Sequence, residues 1–214
     1  MHNTKIFNVN NVTFFISNLS LNIEDVKKDV FKLPFFLYSE VNKVYIYNAE
    51  VLDNYDLDSS YGNRVVKIDS SKIESRKDLM KSLIHELYHS IQNNIKTTFK
   101  DLFEKVALEY LHKKKKILDI FKNDSRFTPP EPSFYTELFY TEKFDNYLYN
   151  SITYRVINNR LKDYFPSAYS ITSVDEYMAV CFEIFYFENQ NWLSMYCPEV
   201  FELIKTIGNY EKEN

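Results

Sequence analysis

Glycine is nearly absent from this sequence, which holds only Gly62 and Gly208 in 214 residues. Loops that bind nucleotide phosphates need several glycines close together, so the chain carries neither a dinucleotide-binding fingerprint nor a P-loop. Cysteine is equally scarce. Cys181 and Cys197 can form at most one disulfide, and they make no CxxC zinc pattern.

Long hydrophobic runs and an excess of positive charge are also missing. No stretch approaches the roughly 18 apolar residues of a transmembrane helix, and no apolar segment typical of a signal peptide follows the polar start. A net charge of -4 and a pI of about 5.7 disfavour a general nucleic-acid binder. We therefore expect no membrane span and no nucleic-acid partner. Localisation and oligomeric state stay open.

Aromatic residues are abundant, at 17% of the chain, and supply large pieces for a hydrophobic core. Alternating β-branched and aromatic residues predict strands at 5–17, 41–51 and 64–69, with Val44 and Ile46 on one face. A helix is predicted at 23–31 and a polar loop at 53–63. These patterns indicate a β-rich part at 1–70.

Helical periodicity dominates from residue 71 to the end. Apolar residues at three- and four-residue steps predict an amphipathic helix at about 77–96, and others at 102–121, 135–149, 151–164, 174–188 and 198–207. Strands followed by a larger helical part define an α+β class. We expect one domain spanning 1–214.

A zinc-binding motif lies in the middle of the strongest predicted helix. Residues 85–89 are His-Glu-Leu-Tyr-His, the H-E-x-x-H pattern. Residues four apart share one helix face, so His85 and His89 can bind the same zinc ion. Beside them, Glu86 can take a proton from zinc-bound water as a general base. The alternative is two surface histidines on an amphipathic helix.

A catalytic zinc site needs a third protein ligand. His2 is terminal, and His112 adjoins Lys113–Lys116, whose positive charge disfavours a bound dication. A carboxylate from the helix predicted at 174–188 is favoured. The candidates are Asp175, Glu176 and Glu183. Glu176 also stands three residues after Ser173, so its alternative role is in a capping box at the helix start.

Two stretches of the sequence resemble the anthrax lethal factor-like metalloproteases, a family that includes the secreted Pro-Pro endopeptidases. The first is 83–91, around H-E-x-x-H, which many zinc proteases share. The second is 169–182, where Tyr169 is followed seven residues later by Glu-Tyr-Met-Ala, similar to the family's tyrosine and E-[FY]-x-A. Residues 191–204, with Cys-Pro-Glu-Val-Phe, also resemble the end of the small Pro-Pro endopeptidases.

The resemblance implies a zincin-like fold, in which a small N-terminal sheet packs on the active-site helix. It also implies one zinc ion per chain, with Glu86 as general base and Tyr169 as the hydroxyl that stabilises the oxyanion. The ligands that it implies are His85, His89 and Glu176. Tyr164 and Tyr177 are substitutes for Tyr169.

Two features depart from the family pattern. The family usually has a second glutamate four residues after the ligand, where this chain has Val180, and Glu183 could replace it only with a shifted geometry. Residues of about 97–160 resemble an insertion that carries Lys113–Lys116 and a Pro129–Pro132 loop. We expect the lysines to form a solvated face, the loop to be a linker and Cys181 to be buried.

The sequence thus predicts a zinc-dependent endopeptidase of the gluzincin type, acting on a peptide or protein substrate. An extended peptide would pair along an edge strand, for which 64–69 is the candidate. The alternative is a zincin-derived binding or regulatory module without turnover, motivated by Val180 and the insertion. A third hypothesis is a toxin-like effector. The sequence names no cleavage motif, and Pro-Pro specificity would be an extrapolation.

Overall fold

A computed structural model describes residues 4–48, 59–160 and 164–213 of the chain. The described residues fall into two compact units. The first lies within Met1–Asn94, Tyr186–Glu188 and Ile207–Asn214, and the second within Ile95–Phe185 and Asn189–Thr206. One catalytic domain spanning 1–214, with an insertion at about 97–160, stays a prediction.

The first unit contains a five-stranded mixed sheet with the order β1-β2-β3-β5-β4. Its strands are β1 (Lys5–Val9), β2 (Val12–Ile16), β3 (Lys43–Tyr47), β4 (Ser59–Gly62) and β5 (Val65–Asp69). The β1–β2 and β4–β5 pairs are antiparallel, whereas β2–β3 and β3–β5 are parallel. Val44 and Ile46 are buried as predicted, and Val66 and Ile68 of β5 are buried as well.

Three predictions about these strands are wrong. The segment 5–17 is a hairpin rather than one strand, because Asn10 and Asn11 adopt φ values of 50° and 64° and form the tight turn. Strand β4 occupies the end of the loop predicted at 53–63, of which 53–58 lie outside the described residues. Strand β5 therefore lies between β3 and β4 and is not an edge strand.

The first unit also contains helix α1 (Ile23–Val30), close to its predicted bounds, and most of helix α2 (Arg76–Thr98). Asn22 caps α1 by accepting a hydrogen bond from the Glu24 amide. Asp29 at the end of α1 is buried, and it forms ion pairs with Lys32 and, at 2.8 Å, with Arg76 Nε. This contact ties the start of α2 to α1.

The second unit is helical. Its helices are α3 (Lys100–Lys122), α4 (Glu142–Asn146), α5 (Tyr154–Arg160), α6 (Val174–Phe187), α7 (Gln190–Tyr196) and α8 (Pro198–Glu213), of which α6 and α8 end in the first unit. A π-helical turn at Tyr147–Ile152 follows α4, and 3₁₀ turns occupy Pro132–Tyr135 and Tyr169–Ile171. Tyr110 lies in the core and donates a hydrogen bond to the Ile171 carbonyl at 2.7 Å.

The helix predicted at 135–149 is wrong over its first half. Helix α4 begins only at Glu142, where the Thr141 side chain accepts a hydrogen bond from the Phe144 amide. The Leu138 carbonyl accepts a hydrogen bond from the Val174 amide at 2.8 Å. This backbone oxygen is therefore paired with a residue distant in sequence rather than with the next helical turn. Helix α7 was not predicted.

The lysine run on α3 is only partly solvated. Lys115 and Lys116 are exposed, but Lys114 is fully buried and Lys113 lies in a polar cluster. The Lys114 ammonium donates to the Glu137 carbonyl at 2.9 Å and lies 3.9 Å from the centre of the Phe144 ring. Burial lowers the pKa of Lys114 to about 8. The prediction of a solvated face therefore fails for two of the four lysines.

The coarse α+β class is confirmed, with strands in the first third and helices after it. Across the described part of the chain, no helix has both the length and the apolar character needed to cross a membrane.

Candidate metal centre

Helix α2 carries the H-E-x-x-H motif and is held at several points within the first unit. Ser75 caps its start, since its Oγ accepts from the Asp78 amide at 3.1 Å and donates to the Asp78 carboxylate at 2.7 Å. The predicted apolar face is buried. Its residues are Met80, Leu83, Ile84, Leu87, Ile91 and Ile95.

A pair of lysines on α2 binds a carboxylate from a separate segment of the first unit. Lys77 and Lys81 lie 3.0 and 2.5 Å from Glu188 Oε1. Partial burial acts to raise the pKa of Glu188, but the hydrogen bonds from Lys81 and Lys77 outweigh it and lower that pKa. Helix α2 is thus fixed both by its buried face and by ion pairs.

The two histidines of the motif come together as the helical spacing predicts. Their Nε2 atoms are 3.1 Å apart, and their ring centroids are 4.7 Å apart. Two nitrogens bound to one tetrahedral zinc at 2.0–2.1 Å stand roughly 3.3 Å from each other. The His85 and His89 rings are therefore already spaced as a shared metal ion requires.

Glu176 lies within reach of the same metal position. One nitrogen from each of His85 and His89 and one carboxylate oxygen of Glu176 all lie within 4.8 Å of one another. Two imidazoles and a carboxylate are the donor set of His₂Glu zinc sites. The group is compatible with one metal ion.

The other carboxylates that the sequence offered as ligands do not belong to this group. Asp175 forms an ion pair with Lys96 at 2.7 Å, and within the described ranges neither Asp175 nor Glu183 is part of the group of three. The amide of Glu176 donates to Ser173 Oγ at 3.1 Å. The Ser173 cap of α6 is therefore present. The backbone amide of Glu176 takes part in this cap, while its carboxylate belongs to the group with His85 and His89.

The predicted general base is buried and hydrogen-bonded. Glu86 is 5% exposed, and its Oε1 accepts a hydrogen bond of 2.7 Å from Ser59 Oγ on β4. A surface cavity of about 530 Å³ reaches both Glu86 and His89, and Tyr61 of β4 also lines it. A carboxylate in this position can exchange protons with a molecule in the cavity while Ser59 holds its orientation.

Two partners of the motif were not predicted. Besides Ser59, Gln92 contacts the motif, with its Oε1 3.1 Å from His89 Nδ1. An acceptor at Nδ1 holds the proton on that nitrogen and leaves Nε2 free to bind a metal ion. The Gln92 contact has a sequence signal, since the residues are three apart on a helix, but Ser59 is 27 residues from Glu86 and has none.

The predicted oxyanion donor lies on the 3₁₀ turn that precedes α6. Tyr169 is 44% exposed, and its ring meets the Tyr154 ring edge-on at 6.2 Å. Tyr154 donates to Asp145, which also accepts from Tyr140 at 3.0 Å. Burial, followed by the Asp145 hydrogen bond, raises the pKa of both Tyr154 and Tyr140, so both phenols stay protonated.

Of the substitutes for Tyr169, Tyr177 is fully buried and bonded to Glu109 and Lys113. That makes it a poor donor to an external substrate. Tyr164 is half-buried, near Lys116. Val180, at the position of the family's second glutamate, lies half-buried on α6.

Comparison with known proteins gave no match to a family model, a curated protein or a solved structure. The functional argument therefore stands on the residues and geometry of this chain.

Proposed function

We propose that this chain is a zinc-dependent endopeptidase of the gluzincin type. The observation that carries the proposal is the convergence of His85, His89 and Glu176 within 4.8 Å, with a buried carboxylate next to His85 in the sequence. The resemblance of residues 83–91 and 169–182 to lethal factor-like proteases supports the same assignment.

The metal ligands would be His85, His89 and Glu176. When bound there, zinc would supply a Lewis acid that lowers the pKa of water and polarises the scissile carbonyl. The donor set, two nitrogens and one oxygen, suits zinc better than calcium or magnesium, which prefer oxygen ligands alone.

The proposed role of Glu86 is proton transfer. Its carboxylate takes the proton of the attacking water and later delivers it to the leaving amine, as peptide hydrolysis requires. Ser59 donates a hydrogen bond to one carboxylate oxygen and so helps to hold the orientation of this group. Tyr169 is proposed to donate a hydrogen bond to the negative charge that develops on the carbonyl oxygen.

The substrate is proposed to pair as an extended strand with β4. Strand β5, which the sequence predicts as the edge, is internal, whereas β4 is last in the order of the strands within the described residues. Ser59 of β4 contacts Glu86, so a peptide aligned on this strand passes the proposed base. Main-chain pairing would hold peptides of varied sequence.

The first experiment measures zinc content by elemental analysis in the wild type, Glu176→Ala and Glu183→Ala. We expect one zinc per chain in the wild type and in Glu183→Ala, and its loss in Glu176→Ala. Equal zinc content in all three proteins would show that Glu176 is not a zinc ligand. Absence of zinc from all three, after purification with zinc supplied, would favour the binding-module alternative.

The second experiment tests turnover with a peptide library. The Glu86→Gln variant should keep its zinc and lose hydrolysis by about 10²-fold or more, since general acid–base catalysis contributes that much. Hydrolysis that survives the change would overturn the mechanism. Zinc in the wild type with no cleavage of any peptide would support a module without turnover.

A further inference from the structure

An ion pair joins the end of the motif helix to the helix that carries Glu176. Lys96 lies in the last turn of α2, and its Nζ is 2.7 Å from Asp175 Oδ1. The same ammonium donates a hydrogen bond of 2.9 Å to Asp175 Oδ2. Asp175 and Glu176 are neighbours in the first turn of α6. The pair therefore acts on the turn of helix that carries the proposed third ligand.

The surroundings of this ion pair shield it from water. The Lys96 side chain is 19% exposed and the Asp175 side chain 18%. The ammonium also lies 4.8 Å from the centre of the Phe139 ring and 5.7 Å from that of Phe103. Ion pairs on an open surface contribute little, because water and salt screen them. A shielded lysine that contacts both oxygens of one carboxylate is screened less and holds its partner in a defined position.

The start of α6 has two further attachments, and both are made by its backbone. The Val174 amide donates to the Leu138 carbonyl at 2.8 Å, and the Glu176 amide donates to Ser173 Oγ at 3.1 Å. These hydrogen bonds fix the turn itself. Lys96 belongs to α2, so its ion pair also fixes the turn relative to the end of the motif helix.

Lys96 lies on the same face of α2 as the two histidines. Positions 85, 89, 92 and 96 are three or four residues apart, which places them along one side of a helix. Lys96 is seven residues after His89, or roughly 10 Å along the helix axis. One side of α2 thus carries two imidazoles and an ammonium, and the first turn of α6 carries two adjacent carboxylates.

The ion pair distinguishes between these two carboxylates. Both are candidate ligands by sequence, but Asp175 contacts the lysine, whereas an oxygen of Glu176 lies within 4.8 Å of the histidine nitrogens. A carboxylate paired with an ammonium is a weaker ligand for a metal cation, because the positive charge beside it offsets its own. The carboxylate of Glu176 is the one that belongs to the group of three.

We propose that Lys96 is a positioning residue for the metal centre: by engaging Asp175, it leaves Glu176 as the carboxylate that completes the site with the two histidines. The proposal rests on the metal site of the proposed function. It does not depend on the hydrolytic step, because it concerns metal binding alone.

The test measures the zinc affinity of the full-length chain by titration against a chelator. We expect Lys96→Met to bind zinc about 10–100-fold more weakly than the wild type, the range typical of residues that orient a metal ligand. Lys96→Arg keeps a cation for Asp175 and should restore the affinity. Lys100→Met removes an exposed lysine four residues further on and should bind zinc as the wild type does.

Cobalt(II) in place of zinc supplies a measurement that a general loss of stability does not change. The visible absorption of bound cobalt(II) reports its coordination geometry, and it is recorded at saturating metal. We expect an altered spectrum in Lys96→Met, because Glu176 is no longer held toward the histidines. Lys96→Arg and Lys100→Met should give the spectrum of the wild type.

The possible failures are distinguishable. A lower Tm in Lys96→Met, with unchanged zinc affinity and an unchanged cobalt spectrum, would overturn the positioning role and leave the metal site in place. Equal weakening in Lys100→Met would also overturn it. A wild type that binds neither metal would overturn this proposal together with the proposed function.

A second variant keeps the proposal testable if Lys96→Met does not fold. The double variant Lys96→Met/Asp175→Asn removes both charges, so it leaves no unpaired carboxylate in a shielded position. It should show the same weaker zinc binding and the same altered cobalt spectrum. Wild-type zinc affinity in a folded double variant would overturn the proposal.

Discussion

At the scale of single residues, the proposed metal ligands have neighbours that can orient them. Gln92 is the clearest case, since its Oε1 lies 3.1 Å from His89 Nδ1. Such a contact fixes the tautomer and the ring angle of a ligating histidine, and its loss typically weakens metal binding by about 10–100-fold.

Replacing Gln92 with leucine should therefore weaken zinc binding by about 10–100-fold without unfolding the protein. Titration against a chelator of known affinity measures the change. The control is Gln92→Glu, which keeps an acceptor oxygen for His89 and should bind zinc at least as well as the wild type. Equal affinity in the leucine variant would show that Gln92 does not orient the ring.

Lys114 makes the stability of the folded chain depend on pH, because its ammonium is buried. Its folded pKa of about 8 is below the ordinary 10.5, so above pH 8 the unfolded chain binds more protons than the folded one. The contribution of Lys114 to stability is thus smallest below pH 8, and it increases as the pH rises toward 10.5.

Between pH 8 and 9.5, the free energy of unfolding of the wild type should rise relative to Lys114→Met by about 2 kcal/mol. Denaturant titrations at several pH values measure this difference. Using the difference removes the contribution of the buried tyrosines, which both proteins share. Lys115→Met, an exposed change, should show no such divergence.

Residue types and local spacing were enough to place His85 and His89 side by side and to include Glu176 among three carboxylate candidates for their group. They were not enough for Ser59, which reaches Glu86 across 27 residues, or for the burial of Lys114 within a lysine run. Both depend on which distant segments pack together, and local periodicity carries no information about that.

At the scale of elements, the second hairpin of the sheet shows why β4 was predicted as part of a loop. Strand β4 contains a single aromatic residue, Tyr61, so it lacks the alternation that predicts a strand. It is joined to β5 by Asn63 and Arg64, with φ values of 52° and 62°. A two-residue turn of this kind usually has glycine at its second position. Here that position is Arg64, so the sequence carries no clear signal for a hairpin.

Helices α2 and α6 are both capped by a serine, so matched serine-to-alanine variants can test the proposed third ligand, Glu176. Ser75 caps α2 and Ser173 caps α6, each by accepting a hydrogen bond from the third amide of its helix. Changing either serine to alanine should lower the free energy of unfolding by about 1 kcal/mol.

Only Ser173→Ala should also weaken zinc binding, because the first turn of α6 carries Glu176. Thermal unfolding and chelator titration on both variants measure the two effects. Equal zinc affinity in Ser173→Ala and Ser75→Ala would argue against Glu176 as a ligand.

At the scale of the whole molecule, metal binding should raise the stability of the folded chain. A ligand that binds only the folded state stabilises it by about 2.7 kcal/mol when its free concentration is 100 times Kd. Zinc should therefore raise the Tm of the wild type, and a chelator should reverse the change.

The Glu176→Ala and His89→Ala variants should lose most of this shift, and Glu183→Gln should keep it. Differential scanning calorimetry with and without zinc measures all four proteins. A Tm shift of equal size in every variant would mean that zinc stabilises the chain at another site.

The backbone of this chain uses asparagine where many proteins use glycine. Asn10, Asn11, Asn18 and Asn63 all have positive φ, and no glycine does. Asparagine deamidates fastest when glycine follows it, because the small neighbour lets its own backbone nitrogen attack the side-chain amide. The residues that follow these four are asparagine, valine, leucine and arginine. Deamidation of Asn10, Asn11 and Asn63 in the hairpin turns should therefore be slow, and purified protein should keep its hairpins intact through long storage.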